Sequence, residues 1–154
     1  MRKSGVSLES LPELIAGWSA HLGLKVEAKF APSGDEEAFP NRLVVAGPDA
    51  DWFAAGRGAA LDALQFLVHE VQGEREDTKL AYLDVKGARL FRMQEVMAMG
   101  RFAAEKAREL GSHTLGALSP RERRWVHLVV SREAGLGTES EGTGTFKPVK
   151  VFRK

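Results

Sequence analysis

Arg123 and His127 are the residues best placed to do chemistry together. They lie four apart in a segment that reads as helix, so they project about 40° from one another on one face. Arg supplies a planar fork of donors and His a further donor, which together suit a phosphate or a sugar. Trp125, Leu128 and Val129 fall on the opposite side and read as core. Arg121 and Arg124 add charge at the amino end of the same helix. Taken alone, the pair reads as a solvated face with a satisfied histidine more readily than as a clamp.

A second constellation is Ala55-Gly56-Arg57-Gly58, between two helical stretches. Glycines there permit close approach of another backbone. The following helix points its positive dipole end at the turn, which suits an anion. A plain connector is the other reading of that segment. Lys147 and Lys150, followed by Arg153 and Lys154, either extend a basic surface or protect a sheet edge. Arg89, Arg92, Arg101 and Arg108 of the long helix do not share one face and read as solvation. Met93, Met97 and Met99 read as core filling.

Enzyme motifs are missing. There is no G-x-x-x-x-G-K-[ST] phosphate loop. Gly56-Arg57-Gly58 lacks the third glycine of a dinucleotide fingerprint and does not follow a strand. Gly17-Trp18-Ser19-Ala20-His21 lacks the second glycine of a nucleophile elbow. The histidines at 21, 69, 113 and 127 are not at metal spacing. With no cysteine, disulfides, thiolate metal sites and a thiol nucleophile are excluded, and a reducing compartment is permitted. The expectation is a non-enzyme with no cofactor and no metal.

The elements that must position these residues follow from periodicity. Ser7–Leu22 reads as a helix with Leu8, Leu11, Ile15, Trp18 and Leu22 on one face. Leu24–Phe30 alternates as a half-buried strand, with Asn41–Ala46 as its hairpin partner across a loop. Asp49–Ala55 gives one or two helical turns. Ala59–Val71 is a helix with Leu61, Leu64, Leu67, Val68 and Val71 inward. Lys79–Val85 is strand-prone. Ala88–Leu110 is a long helix with Leu90, Met93, Met97, Gly100, Ala104, Ala107 and Leu110 as its stripe. His113–Leu118 reads as a strand. Ser119-Pro120-Arg121-Glu122 is a capping box that opens a helix running to about Arg132. Residues 135–154, with glycines at 135, 137, 142 and 144, read as a loop and then a terminal strand.

The whole chain has 154 residues and a formal charge of only +1. The halves differ. Residues 1–87 hold 9 basic against 14 acidic side chains, a net −5, and residues 88–154 hold 13 against 7, a net +6. The charge split and Gly87 place a domain boundary near 87. At 44% hydrophobic and 28% charged, the composition is that of a globular protein. Met1-Arg2-Lys3 resembles the start of a signal peptide, but Ser4, Ser7, Glu9 and Ser10 interrupt the apolar core it would need. No stretch is apolar enough for a membrane span. The reading is cytoplasmic.

Together these segments resemble the bacterial Jag (SpoIIIJ-associated) family. Gly56 to Leu67 is similar to the loop and helix of that family's KH domain. Leu83-Asp84-Val85 before an arginine-bearing helix is similar to its linker. Ser119 to His127 looks like the signature of the R-three-H domain, named for Arg-x-x-x-His, and Ser140-Glu141-Gly142 with a basic terminal strand also matches. The resemblance spans residues 8–152 in order. It implies an α+β fold: a type II KH-like module over 1–87, joined by the long helix to a small α/β R-three-H module over 88–154, with no evident Jag-N domain. It implies binding of single-stranded RNA, a regulatory role in cell elongation, division or envelope synthesis, and a small KH-only protein as partner. Carried over by position, the binding residues are Ala55, Gly56, Arg57, Gly58, Arg123 and His127, and the basic Arg124, Lys147 and Lys150 are expected to bind with them. Ala55 stands where the family usually has glycine, which shifts the freedom to bend onto Gly56. The alternatives are single-stranded DNA, or a protein-interaction scaffold with a weakened loop.

Overall fold

Pro12 in the first turn and the apolar face of Leu11 and Ile15 start the first helix well. In the computed structural model, which describes residues 5–73, 75, 76 and 79–154, a short 3-10 turn at Leu8–Ser10 leads into α1, Leu11–His21. Met1 to Ser4, part of the stretch weighed as a signal peptide, lie outside the described residues. Leu22, expected on the inner face, is exposed, because the helix ends at His21 and Gly23 turns the chain at φ 77°.

The chain divides into two compact units, Met1–Leu90 and Phe91–Lys154. In the first, β1 (Glu27–Phe30) pairs antiparallel with β2 (Arg42–Ala46), and β2 pairs parallel with β3 (Tyr82–Asp84). The sheet order is β1-β2-β3. Helix α2, Asp51–Gln72, is broken at 55–58. Its Leu61, Leu64 and Val68 meet Leu11 and Ile15 of α1 and Leu43, Val45 and Leu83 of the sheet in one core. Leu67, expected in that core, is 49% exposed. It sits about 60° round the helix from Leu64 and about 100° from Val68, outside the face that Leu61, Leu64 and Val68 already fill.

Two buried glutamines on α2 complete β3. Gln65 accepts from the Leu83 amide at 2.7 Å and donates to the Ala81 carbonyl at 2.8 Å. Gln72, two turns on, accepts from the Ala81 amide at 3.0 Å and donates to the Lys79 carbonyl at 3.3 Å. At the far end of β3 the carboxylate of Asp84, fully buried, accepts from Arg42 Nε at 2.9 Å and from the amides of Arg89 at 2.9 Å and Leu90 at 3.3 Å. It thereby caps the start of α3, Ala88–Leu110.

The second unit packs α3 and α4 (Pro120–Ser131) with the sheet β4-β6-β5, where β4 is Ser112–Leu118, β5 Leu136–Ser140 and β6 Lys147–Arg153. Both pairings are antiparallel. Ser119 caps α4 as its sequence predicts: its hydroxyl accepts from the Glu122 amide, and Glu122 accepts back from the Ser119 amide at 2.9 Å. Gly100 lets α3 approach α4 closely, since a Cβ there would lie 2.6 Å from Val129 Cγ1. Leu110, placed in the α3 stripe by periodicity, is exposed at the helix end. Strand β5 is an addition, because its glycines read as loop in the sequence. The Phe152 ring lies over Gly137, 2.7 Å from where a Cβ would sit, so the bare position carries a cross-strand neighbour. No helix among the described residues is long and apolar enough to cross a membrane.

Candidate nucleic-acid interface

The break in α2 is made by four residues. Ala55 is extended at φ −64°, ψ 155°, and Gly56, Arg57 and Gly58 follow in left-handed conformation at φ 59°, 64° and 76°. The bend thus falls on Gly56, as the alanine at the first position requires, and Ala55 needs no positive φ. A left-handed arginine is uncommon. It holds Arg57 on the surface with no hydrogen-bond or ion-pair partner among the described residues. Residues 59–72 continue as helix from the turn, with the positive end of the helix dipole toward it.

Arg89, expected from helical spacing to be solvated, lies against this turn. Its Nη2 would be 4.0 Å from a Cβ at Gly58, and it forms an ion pair with Asp62, one turn further along α2. Burial lowers the Arg89 pKa, and attraction to Asp62 and Asp84 only partly offsets it. Helical spacing could not find this residue, because its neighbours come from a different element.

In the second unit, Arg123 and His127 occupy one side of α4, and each is tied down. Arg123 Nη1 donates to the carbonyls of Leu118 at 2.7 Å and Thr145 at 2.6 Å. Its Nε and Nη2 have no partner among the described residues, so the guanidinium keeps donors for a ligand. His127 Nδ1 meets the Thr138 hydroxyl, and Nε2 lies 3.3 Å from the Ser140 hydroxyl. Burial lowers the His127 pKa, and the nearby Arg123 charge lowers it further. The neutral imidazole is therefore favoured at pH 7. The sequence pattern contains no signal for Thr138, which sits on a strand that only the fold makes.

The remaining residues singled out in the sequence separate. Trp125 and Val129 are buried as expected, whereas Leu128 is half-buried. Arg124 is half-buried on α4. Lys147 has the parity of Val149 and Val151, on the side of the sheet where Thr138 and Ser140 meet His127. Lys150 has the opposite parity, across from Glu139 and Thr114. Lys147 and Lys150, read as either extending a basic surface or protecting a sheet edge, lie on opposite faces, because a spacing of three reverses the side in a strand, and β6 runs between β4 and β5, so neither guards an edge. Arg92 is engaged twice, by Glu122 at 2.7 Å and Glu95 at 2.8 Å.

Residues 94–153 match the R-three-H domain family, a segment that contains Arg123, His127, Lys147 and Lys150. R-three-H domains are in general nucleic-acid-binding modules. A comparison with curated proteins finds no match for the chain.

Proposed function

We propose that this chain is a binding protein, not an enzyme, that holds single-stranded nucleic acid, RNA foremost, through its two units. The observation that carries the reading is the Arg123–His127 pair within the R-three-H segment: one guanidinium with donors to spare, one imidazole beside two hydroxyls, and Lys147 on the same side of the sheet. That set suits a phosphate and sugar edge. The first unit supports a KH-like module by its element order, helix-strand-strand-helix-turn-helix-strand, and by the left-handed turn that presents Arg57. KH modules grip the nucleic-acid backbone at such a loop. The resemblance to the Jag family extends the reading to a cytoplasmic regulator of cell elongation, division or envelope synthesis.

The test is fluorescence anisotropy of the full chain with matched RNA and DNA oligonucleotides over a salt series. Affinity should fall with salt, with a log–log slope of about −0.7 for each phosphate neutralised. Lys147→Ala and Arg57→Ala should each weaken binding and reduce that slope. Binding that ignores salt and both variants would sink the reading. A preference for RNA over DNA of the same sequence requires contacts to the 2′-hydroxyl.

A second reading, protein interaction through the first unit, is favoured by Phe66 and Leu67, both exposed on α2 in the acidic half of the chain. A small KH-only protein is the partner it implies. Retained co-purification of that partner without RNA crosslinking would select it.

A further inference from the structure

Phe146 stands out among the exposed aromatic residues because Arg123 holds the residue before it and the strand partner of the residue after it. The Thr145 carbonyl before it accepts from Arg123 Nη1 at 2.6 Å. Lys147 after it pairs with Leu118 across β4 and β6, and the Leu118 carbonyl accepts from the same Nη1 at 2.7 Å. The loop reaches this point through Gly142 and Gly144, at φ 83° and 96°. Phe146 itself is 65% exposed and has no ring partner among the described residues. Phe102, by contrast, already meets His113 edge-on, with Lys106 over its ring. An aromatic ring held in water, one residue from the carbonyl that Arg123 holds and next in sequence to Lys147, is costly to leave bare and matches one ligand well. That ligand is an unpaired base whose backbone phosphate is drawn to the cations.

We propose that Phe146 is a stacking platform for one base of a single strand, and that it gives the second unit its preference for unpaired over duplex nucleic acid. This rests on the reading of that unit as a nucleic-acid interface. A base inside a duplex already has its faces covered, so the ring can act only on a single strand. Cations alone attract either form.

The experiment compares the full chain with Phe146→Ala, Phe146→Leu and Phe146→Trp, each checked for an unchanged melting temperature. The probes are an oligoadenylate, an abasic oligonucleotide of equal length and a blunt duplex, titrated at one salt concentration. Alanine and leucine should weaken oligoadenylate binding about 5- to 100-fold and leave the abasic and duplex probes unchanged. Tryptophan should retain the affinity. If Phe146→Ala leaves oligoadenylate binding unchanged, or weakens all three probes equally, the platform is overturned while the nucleic-acid reading stands. If the unaltered chain binds none of the probes, both are overturned.

Discussion

The guanidinium of Arg123 and the carbonyl oxygen of Thr145 are joined at 2.6 Å across 22 residues of sequence. The same nitrogen also holds Leu118. Arg123 is therefore a clip between α4, the end of β4 and the loop before β6, as well as a cation. Arg123→Ala should destabilise the second unit by about 1.5–3 kcal/mol, the usual range for hydrogen bonds from a charged group. Chemical denaturation would read this directly. An unchanged midpoint would mean that the clip contributes nothing.

His127 and Glu122 make the second unit acid-sensitive. Burial raises the Glu122 carboxyl, but hydrogen bonds from the Ser119 amide and Arg92 outweigh it, and its pKa lies below the ordinary 4.5. His127 lies below its ordinary 6.5. For both groups the folded pKa is below the unfolded one. Each contribution is thus fully present above the ordinary value and lost as pH falls through the folded value. Melting temperature should drop in two stages on acidification, the first starting below about pH 6.5 and the second below about pH 4.5. His127→Gln should remove the first stage and Glu122→Gln the second. Thr138→Val, which strips the imidazole of a partner, should cost about 1 kcal/mol at neutral pH.

Arg57 pairs a strained backbone with a free side chain, and one substitution separates the two. Arg57→Gly should relieve about 1–2 kcal/mol of left-handed strain. It should also give back about 0.5–1 kcal/mol through the added freedom of the unfolded chain. The variant should be slightly more stable than the parent and bind oligonucleotides less tightly. Greater stability with undiminished affinity would remove Arg57 from the interface.

Gly100→Ala tests the contact between α3 and α4. The new methyl would meet Val129 Cγ1 at 2.6 Å. Overpacking costs about 1–3 kcal/mol, and the gain in helix propensity returns about 1 kcal/mol. A net loss of stability is expected in thermal unfolding. A gain would show that the two helices separate easily.

Local signals carry much of the fold. The Ser119–Glu122 capping box, the span of α3 and the break at Gly56 to Gly58 are each written in a few adjacent residues, and each stands where those residues put it. Strand β5 is hidden because its glycines read as loop, and only the ring of Phe152 from β6 makes Gly137 serviceable in a sheet. Leu67 and Leu110 belong to the core by residue type, but neighbouring leucines and a helix end leave them outside. At the candidate interface, Arg123 and His127 are visible from their spacing. Their partners Thr145, Thr138 and Ser140 are not, since tertiary folding brings them there. The division of Lys147 from Lys150 is legible in simple strand alternation, although their shared charge suggests a single surface.

Gln65 and Gln72 act on β3 and the residues leading into it as a fourth strand would, offering acceptors and donors to the amides of Ala81 and Leu83 and the carbonyls of Lys79 and Ala81. The border of that sheet is thereby closed to any extended peptide that would join it by main-chain pairing. Oligomerisation or fibril growth by strand addition has no template on that side. Replacing either glutamine with leucine would keep the volume and remove the seal, reopening a sticky margin on a molecule that otherwise protects it from within.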